Sequence, residues 1–289
     1  MDDLEIIVFT NENHIDILNV TLPRIVNYLS PINSKINVIT NKFVNNTDID
    51  FSEVNVIETN IEFDKNGSHF RGSMLFSLSQ IKSKYVLFFC DDYLINSIIK
   101  KDTFNNVMGI IEHYNCDFMS FSTLKSNRPD LLKWEIINSN LTNFGIDDAV
   151  LYEVDKDFRH LYSVQPCIWK RESLIELLTY NEFLTLHMLD NTMIKNKKGL
   201  NRILNYETNY FDSNNLNSLD YGFKNYIIDL PPLTFNIDER GLNSDYFIFD
   251  YGEIMRYGKI QEYTTNSVII LNEFLNKNPK IKEKIKKFI

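Results

Sequence analysis

Two adjacent carboxylates, Asp91 and Asp92, follow closely on Tyr85-Val86-Leu87-Phe88-Phe89, an aromatic and β-branched run suited to a strand. Carboxylates at the end of a buried strand can hold a divalent cation whose other ligands are diphosphate oxygens and water. Mg²⁺ or Mn²⁺ needs only one or two protein carboxylates when phosphates supply the rest. A cation placed there neutralises charge building on a departing nucleoside diphosphate. The same residues could instead cap the following helix or solvate the strand end, and the motif alone leaves both readings open. Other residues carry a similar choice. Gly258-Lys259 combines close backbone approach with a charge, but lacks full phosphate-loop spacing. Trp169 could be a sugar platform or core, and His187 a proton carrier or a packed imidazole.

For Asp91 and Asp92 to act together with other groups, their strand must belong to an open sheet, where ligands bind beyond the carboxyl ends. The first half of the chain alternates in that manner. Ile6-Ile7-Val8-Phe9-Thr10 is a continuous apolar run ending in polar Asn11-Glu12-Asn13, the profile of a buried parallel strand followed by a functional loop. Ile15, Leu18, Leu22, Ile25, Val26 and Leu29 recur at helical spacing; Pro23 inside that pattern predicts either a kink or a restart capped by Thr21. Strands are expected at Ile36 to Thr40, Val54 to Glu58, Tyr85 to Phe89 and Phe118 to Phe121. Helices are expected from Ser68, with Met74, Leu75, Leu78 and Ile81 on one face, and from Ser97 to Tyr114. The second half is less regular: a strand at Ser163 to Lys170, a helix at Glu172 to Tyr180, and an Asn/Ser/Asp-rich loop over 205–220. The alternation predicts an α/β fold, a mainly parallel sheet flanked by helices.

Composition bounds the answer further. Apolar residues at 44% and charged residues at 24% of 289 positions are ordinary for a globular chain. The net charge of -9 argues against nucleic-acid binding. No apolar run is long enough for a transmembrane segment. The acidic start Met1-Asp2-Asp3-Leu4-Glu5 is unlike a secretory signal, so a cytoplasmic location is expected. Cys90, Cys116 and Cys167 are dispersed, which reads as reduced thiols without structural zinc. From Lys280 onward five lysines interleave with Ile281, Ile285, Phe288 and Ile289. Such a segment is either a docked terminal helix or, as a peripheral membrane contact, a basic amphipathic face.

Several segments together resemble GT-A glycosyltransferases. His69-Phe70-Arg71-Gly72-Ser73 through Ile81, followed by Tyr85 to Tyr93, resembles their donor-binding region, most closely that of a group found in bacteria and large DNA viruses. Ser163-Val164-Gln165-Pro166-Cys167-Ile168-Trp169 is similar to that group's Gln-Pro-x-Ile-Trp segment. His187-Met188-Leu189-Asp190 matches its Trp-x-x-Glu segment, and Arg256-Tyr257-Gly258-Lys259 its Arg-x-Gly-Lys element. The matches fall in order over residues 6 to about 262. Two departures stand out: Cys90 occupies the place of the first acid of an Asp-x-Asp triplet, and Asp190 replaces a glutamate, with Glu182 a rival for that role.

The resemblance implies a Rossmann-like GT-A domain over 1–262, with a donor nucleotide lobe at 1–125, an acceptor lobe at 126–262 and a helical basic tail at 263–289. It implies a hexosyltransferase-type enzyme that moves a sugar from a nucleoside-diphosphate sugar to a hydroxyl acceptor, expected to be a glycan. Inversion and assistance by Mn²⁺ or Mg²⁺ are expected. Thr10, Asn11 and Glu12 would line the nucleotide pocket, and Asp92 with Asp91 would hold the metal. Arg71, Arg256 and Lys259 would face the diphosphate, and Asp190 would serve as the general base. Two alternatives stay open. A sugar-nucleotide nucleotidyltransferase would want a Gly-rich loop after the first strand, which Phe9-Thr10-Asn11-Glu12-Asn13 lacks. A non-catalytic nucleotide- or carbohydrate-binding protein is favoured by Cys90.

Overall fold

The computed structural model describes residues 3–43, 51–62, 69–121, 135–138, 140–146, 150–153, 166–180, 225–229, 251–256, 259–260 and 266–288. Four strands of the first half, β1 (Leu4–Phe9), β2 (Ile36–Thr40), β3 (Asn55–Glu58) and β4 (Tyr85–Cys90), pair in parallel. Ile6 lies opposite Ile36, Val38 opposite Val56, and Phe9 opposite Cys90. Ile6, Ile7 and Val8 are buried, as are all six residues of β4. Successive side chains point to opposite faces, so both faces of this part of the sheet are covered. That is why these strands read as unbroken apolar runs.

After β4 comes a short strand, β5 (Tyr93–Ile95), and then β6 (Phe118–Phe121), β7 (Glu135–Asn138), β8 (Val150–Glu153), β9 (Cys167–Lys170) and β10 (Asn225–Asp229). Among the described residues the main sheet has nine strands, in the order β3-β2-β1-β4-β9-β6-β10-β8-β7. Strand β9 runs against β4 and β6, and β8 runs against β10 and β7; β6 and β10 are parallel. The sheet is therefore mainly parallel, with β9 and β8 as the reversed strands, and the fold class is α/β. One side of it, β3-β2-β1-β4, comes from the first half of the chain, and strands of both halves mix on the other side.

Helices α1 (Leu18–Leu29), α2 (His69–Leu78), α3 (Lys101–His113) and α4 (Arg171–Tyr180) bury their apolar residues in one cluster with the strands. A 3-10 turn at Ile15–Ile17 leads into α1, which continues past Pro23 without interruption. Neither Thr21 nor Pro23 restarts it: the buried Thr21 hydroxyl donates to the Ile17 carbonyl at 3.4 Å. The helix expected from Ser97 begins only at Lys101. Before it, the Ile99 N–H donates to the Tyr28 carbonyl at 2.9 Å and Lys100 is extended; further back lies β5, whose buried Tyr93, Leu94 and Ile95 pair with β11 (Tyr251–Glu253). Helices α2 and α4 cap each other. Arg71 donates through Nε to the Leu178 carbonyl at 2.6 Å and through Nη2 to the Thr179 carbonyl at 3.3 Å. Arg171 Nη1 donates to the Leu78 carbonyl at 3.2 Å. Guanidinium groups at helix C-termini satisfy terminal carbonyls and oppose the helix dipole.

A second cluster lies at the carboxyl edge. Beyond β11, Ile254 and Met255 lead into a hairpin of β12 (Met255–Arg256) and β13 (Lys259–Ile260). Helices α5 (Asn266–Lys277) and α6 (Pro279–Ile285) and a 3-10 turn, Lys286–Phe288, complete the chain's described part. Ile17, Val20, Leu94, Ile254, Met255, Leu271, Leu275, Ile285 and Phe288 pack together. Of the tail expected at 263–289, the described residues 266–288 form a docked pair of helices and a 3-10 turn, with Pro279 in a first-turn position of α6. Its Ile285 and Phe288 face the core, while Lys280, Lys282, Lys286 and Lys287 are exposed. Among the described residues no helix is long and apolar enough to cross a membrane.

Trp169, in β9, is 1% exposed and its ring lies 4.6 Å from that of Phe118. It is core, with no face for a sugar. Trp169→Ala is expected to lower stability by about 3–5 kcal/mol, read from the urea midpoint. A loss under about 1 kcal/mol would show that the ring is not packed as described.

Candidate functional site

The chain lays β2 and β3 on one side of β1 and then returns to lay β4 on the other. Connections diverge between β1 and β4, and at such a switch point a crevice opens beyond the carboxyl ends of the strands. Parallel register brings the two strand ends level, with Phe9 opposite Cys90. The next residues, Thr10 and Asp91, therefore meet. Thr10 Oγ1 donates to Asp91 Oδ2 at 2.5 Å, and the Asp91 N–H donates to the Phe9 carbonyl at 3.0 Å.

The loop after β1 is shaped by two asparagines. Asn11 Oδ1 accepts from the Asn13 N–H at 3.0 Å, and the Asn11 carbonyl accepts from the His14 N–H at 2.9 Å. Asn41, just beyond β2, accepts the Glu12 N–H at 2.7 Å. These side chains do the work a glycine-rich turn would otherwise do, bonding to a neighbouring backbone N–H and fixing the loop. The loop brings His14 Nδ1 to 3.8 Å from Asp91 Oδ2.

The two aspartates differ. Asp91 is 5% exposed, and burial pushes its carboxyl above the ordinary value of 3.8. His14, the Thr10 hydroxyl and the backbone N–H groups of Asp91 and Asp92 act in the opposite direction without reversing the shift. Asp92 is only half-buried, and its carbonyl accepts the Ile254 N–H at 2.8 Å. That bond sets the late segment of the chain beside the acidic pair. The thiol-bearing Cys90 is buried at the end of β4.

Of the residues singled out in the sequence, Thr10, Asn11, Glu12, Asp91 and Asp92 gather at the switch point. Arg256 and Lys259 are partners in the β12–β13 hairpin, which begins just past Ile254; Lys259 is exposed. Arg71 is engaged elsewhere, on the C-terminal carbonyls of α4. Asp190, its rival Glu182 and His187 lie outside the described residues, as do Gly258 and the 205–220 stretch. The sequence reading did not single out His14 or Asn41. Their one signal is position, since each is polar and follows closely on the end of a buried strand.

Among the described residues no group of three or more His, Cys, Asp and Glu side chains could hold a metal ion. The donors at the switch point are hard oxygens from a carboxylate pair, one of them already hydrogen-bonded to Thr10. This set fits a Mg²⁺- or Mn²⁺-like cation shared with diphosphate oxygens rather than one held by protein alone.

No family model and no curated protein sequence matches this chain. Among solved structures it is similar to TarS of S. aureus, at 16% identity over 69% of this chain and 34% of TarS, with a TM-score of 0.37. The mannosyltransferase PcManGT of Pyrobaculum calidifontis, solved with GDP-Man and Mn²⁺, matches at 14% identity over 66% of this chain and 50% of its own, with a TM-score of 0.38. The galactosyltransferase LgtC, solved with donor and acceptor sugar analogues, matches at 10% identity over 76% of this chain and 70% of its own, with a TM-score of 0.35. The matched part is thus about a third of TarS and half of PcManGT.

The raised Asp91 carboxyl has a consequence for stability. A carboxyl that holds its proton more tightly when folded contributes stability that is full below the ordinary value of 3.8. That contribution is lost as pH rises through the folded value. Asp91→Asn removes the loss, so the stability of the variant relative to wild type is expected to increase with pH above about 4. Urea denaturation across that range is the measurement. A difference that stays flat with pH would exclude burial as the controlling influence.

Proposed function

We propose that this chain is a GT-A-like glycosyltransferase that moves a sugar from a nucleoside-diphosphate sugar to a hydroxyl acceptor, with inversion. The observation that supports it best is the acidic pair at the carboxyl end of β4, set at the switch point against the polar loop of β1. The ordered motif resemblance to the bacterial and viral group adds to it, from Arg71 through Asp91-Asp92 and Gln165-Pro166 to Arg256 and Lys259.

In this reading Asp92 is the carboxylate offered to a cation. Asp91, locked by Thr10, holds the strand end in place. Bound there, Mn²⁺ or Mg²⁺ would neutralise charge on the leaving diphosphate. Thr10, Asn11 and Glu12 form the wall on which the nucleotide rests. Arg256 and Lys259, on the hairpin tied to Asp92 through Ile254, supply positive charge to the diphosphate. Asp190 accepts the acceptor hydroxyl's proton as it attacks the anomeric carbon, from the side opposite the leaving group. A glycan fits as the acceptor class. The Cys90 thiol is the feature that favours a non-catalytic binder of the same fold, because a soft donor replaces a hard oxygen there.

The two roles separate experimentally. Asp92→Asn is expected to weaken Mn²⁺-dependent UDP or GDP binding about ten-fold or more, and Mn²⁺ alone to bind wild type weakly. Calorimetry and thermal shift with and without Mn²⁺ read both. Nucleotide binding that ignores Mn²⁺ and Asp92 would discard the metal-assisted reading. Asp190→Asn is expected to abolish sugar transfer while sparing nucleotide affinity; full activity would remove Asp190 from the role of base. Wild type that binds nucleotide yet never hydrolyses or transfers any donor of a panel would favour the binder.

A further inference from the structure

We propose that the C-terminal turn Lys287-Phe288 is a positioning element of the switch-point site. It holds His14 against Asp91 and thereby sets the geometry in which the acidic pair meets a nucleoside diphosphate. The proposal rests on the nucleotide-binding reading given above and extends it to a part of the chain that the motif resemblance does not reach.

The observations form a short physical chain. The Phe288 ring, 5% exposed, meets the His14 ring edge-on, with centroids 5.6 Å apart and planes at 82°. The other side of His14 turns Nδ1 toward Asp91 Oδ2 at 3.8 Å. An imidazole between an aromatic wall and a carboxyl has few rotamers left that keep both contacts. The wall itself is pinned. Lys287 Nζ reaches Asp16 Oδ2 at 2.7 Å, two residues past His14, and the same ammonium lies 4.9 Å from the centroid of the Phe288 ring. Ile285 and Phe288 share the second apolar cluster with Ile17, Val20 and Ile254.

The β1 loop is therefore held at both ends. Thr10 fixes its start to Asp91, and the C-terminal turn fixes its end at His14 and Asp16. Asp92 is anchored to the same late part of the chain by the separate bond from Ile254 to its carbonyl. Each member of the acidic pair thus depends on the last part of the chain through a different link. Phe288 touches no reacting group; it acts through His14.

A double-mutant cycle on the full chain tests this. UDP and GDP affinity with Mn²⁺ is measured by calorimetry for wild type, Phe288→Ala, Phe288→Leu, Phe288→Tyr, His14→Ala and His14→Ala/Phe288→Ala, with thermal midpoints alongside. Phe288→Ala and His14→Ala are each expected to weaken binding about ten-fold, as loss of a supporting partner does at metal sites. The double variant is expected to lose no more than His14→Ala alone. Phe288→Tyr keeps the aromatic edge and is expected to restore binding, whereas Phe288→Leu keeps apolar bulk and is not. The His14 Cε1–H resonance, assigned by its absence in His14→Ala, is expected to shift when the Phe288 ring is removed. Should Phe288→Ala fail to fold, the Leu and Tyr variants carry the comparison. Folded variants that bind as tightly as wild type, or losses that add in the double variant, would overturn the proposal. Wild type that binds neither nucleotide would instead overturn the reading of the site on which it rests.

Discussion

A carboxyl group withdrawn from water at the end of a parallel strand is the constraint around which this edge of the molecule is organised. An ionised carboxylate in such a place is unfavourable unless donors surround it. Here the Thr10 hydroxyl and the strand-end N–H groups donate, and His14 Nδ1 lies 3.8 Å away. Thr10 and Asp91 can meet only because Phe9 stands level with Cys90. A slip of one residue would turn every side chain of β1 to the opposite face and separate the pair. The paired strands β1 and β4 are therefore also the frame that keeps this polar contact in register.

The two neighbouring acids divide the work between them. Asp91 is absorbed into the scaffold, and Asp92 stays in reach of solvent with its backbone clasped by Ile254. A single aspartate would have to be both rigid and accessible, and burial opposes access. Two in succession, in the turn after β4, set a buried carboxyl beside a half-buried one. The arginines of α2 and α4 show the converse economy. Arg71 looks like a diphosphate contact in the sequence, yet it and Arg171 each satisfy carbonyls at the end of the other's helix.

Much of the scaffold was legible in the sequence. Strands β1, β2, β4 and β6 fall within two residues of where their apolar runs put them, because a strand covered on both faces needs no long-range partner to be recognised. What escaped was whatever depends on distant pairing. The strand Tyr93–Ile95 is three residues long and acquires its identity from Tyr251–Glu253. His14 and Asn41 carry no local signal beyond following the end of a buried strand; parallel strand ends bring them beside groups far off in the chain. The basic tail was legible in part. A docked terminal helix with its lysines in water was one of its two readings, but nothing local marks Ile17 and Val20, near the start of the chain, as the residues against which Ile285 and Phe288 pack.

The strand order has one more consequence, for how the chain comes off the ribosome. Strand β4, the most apolar in the sheet, lies between β1 and β9, but β9 is built from Cys167–Lys170. For several seconds, at synthesis rates of about 5–20 residues per second, the nascent polypeptide carries Tyr85-Val86-Leu87-Phe88-Phe89-Cys90 with one hydrogen-bonding edge bare. A bare apolar edge is a template for any other extended segment. Translation that stalls before Cys167 leaves a fragment primed to aggregate, and holdase chaperones have their natural target in that interval.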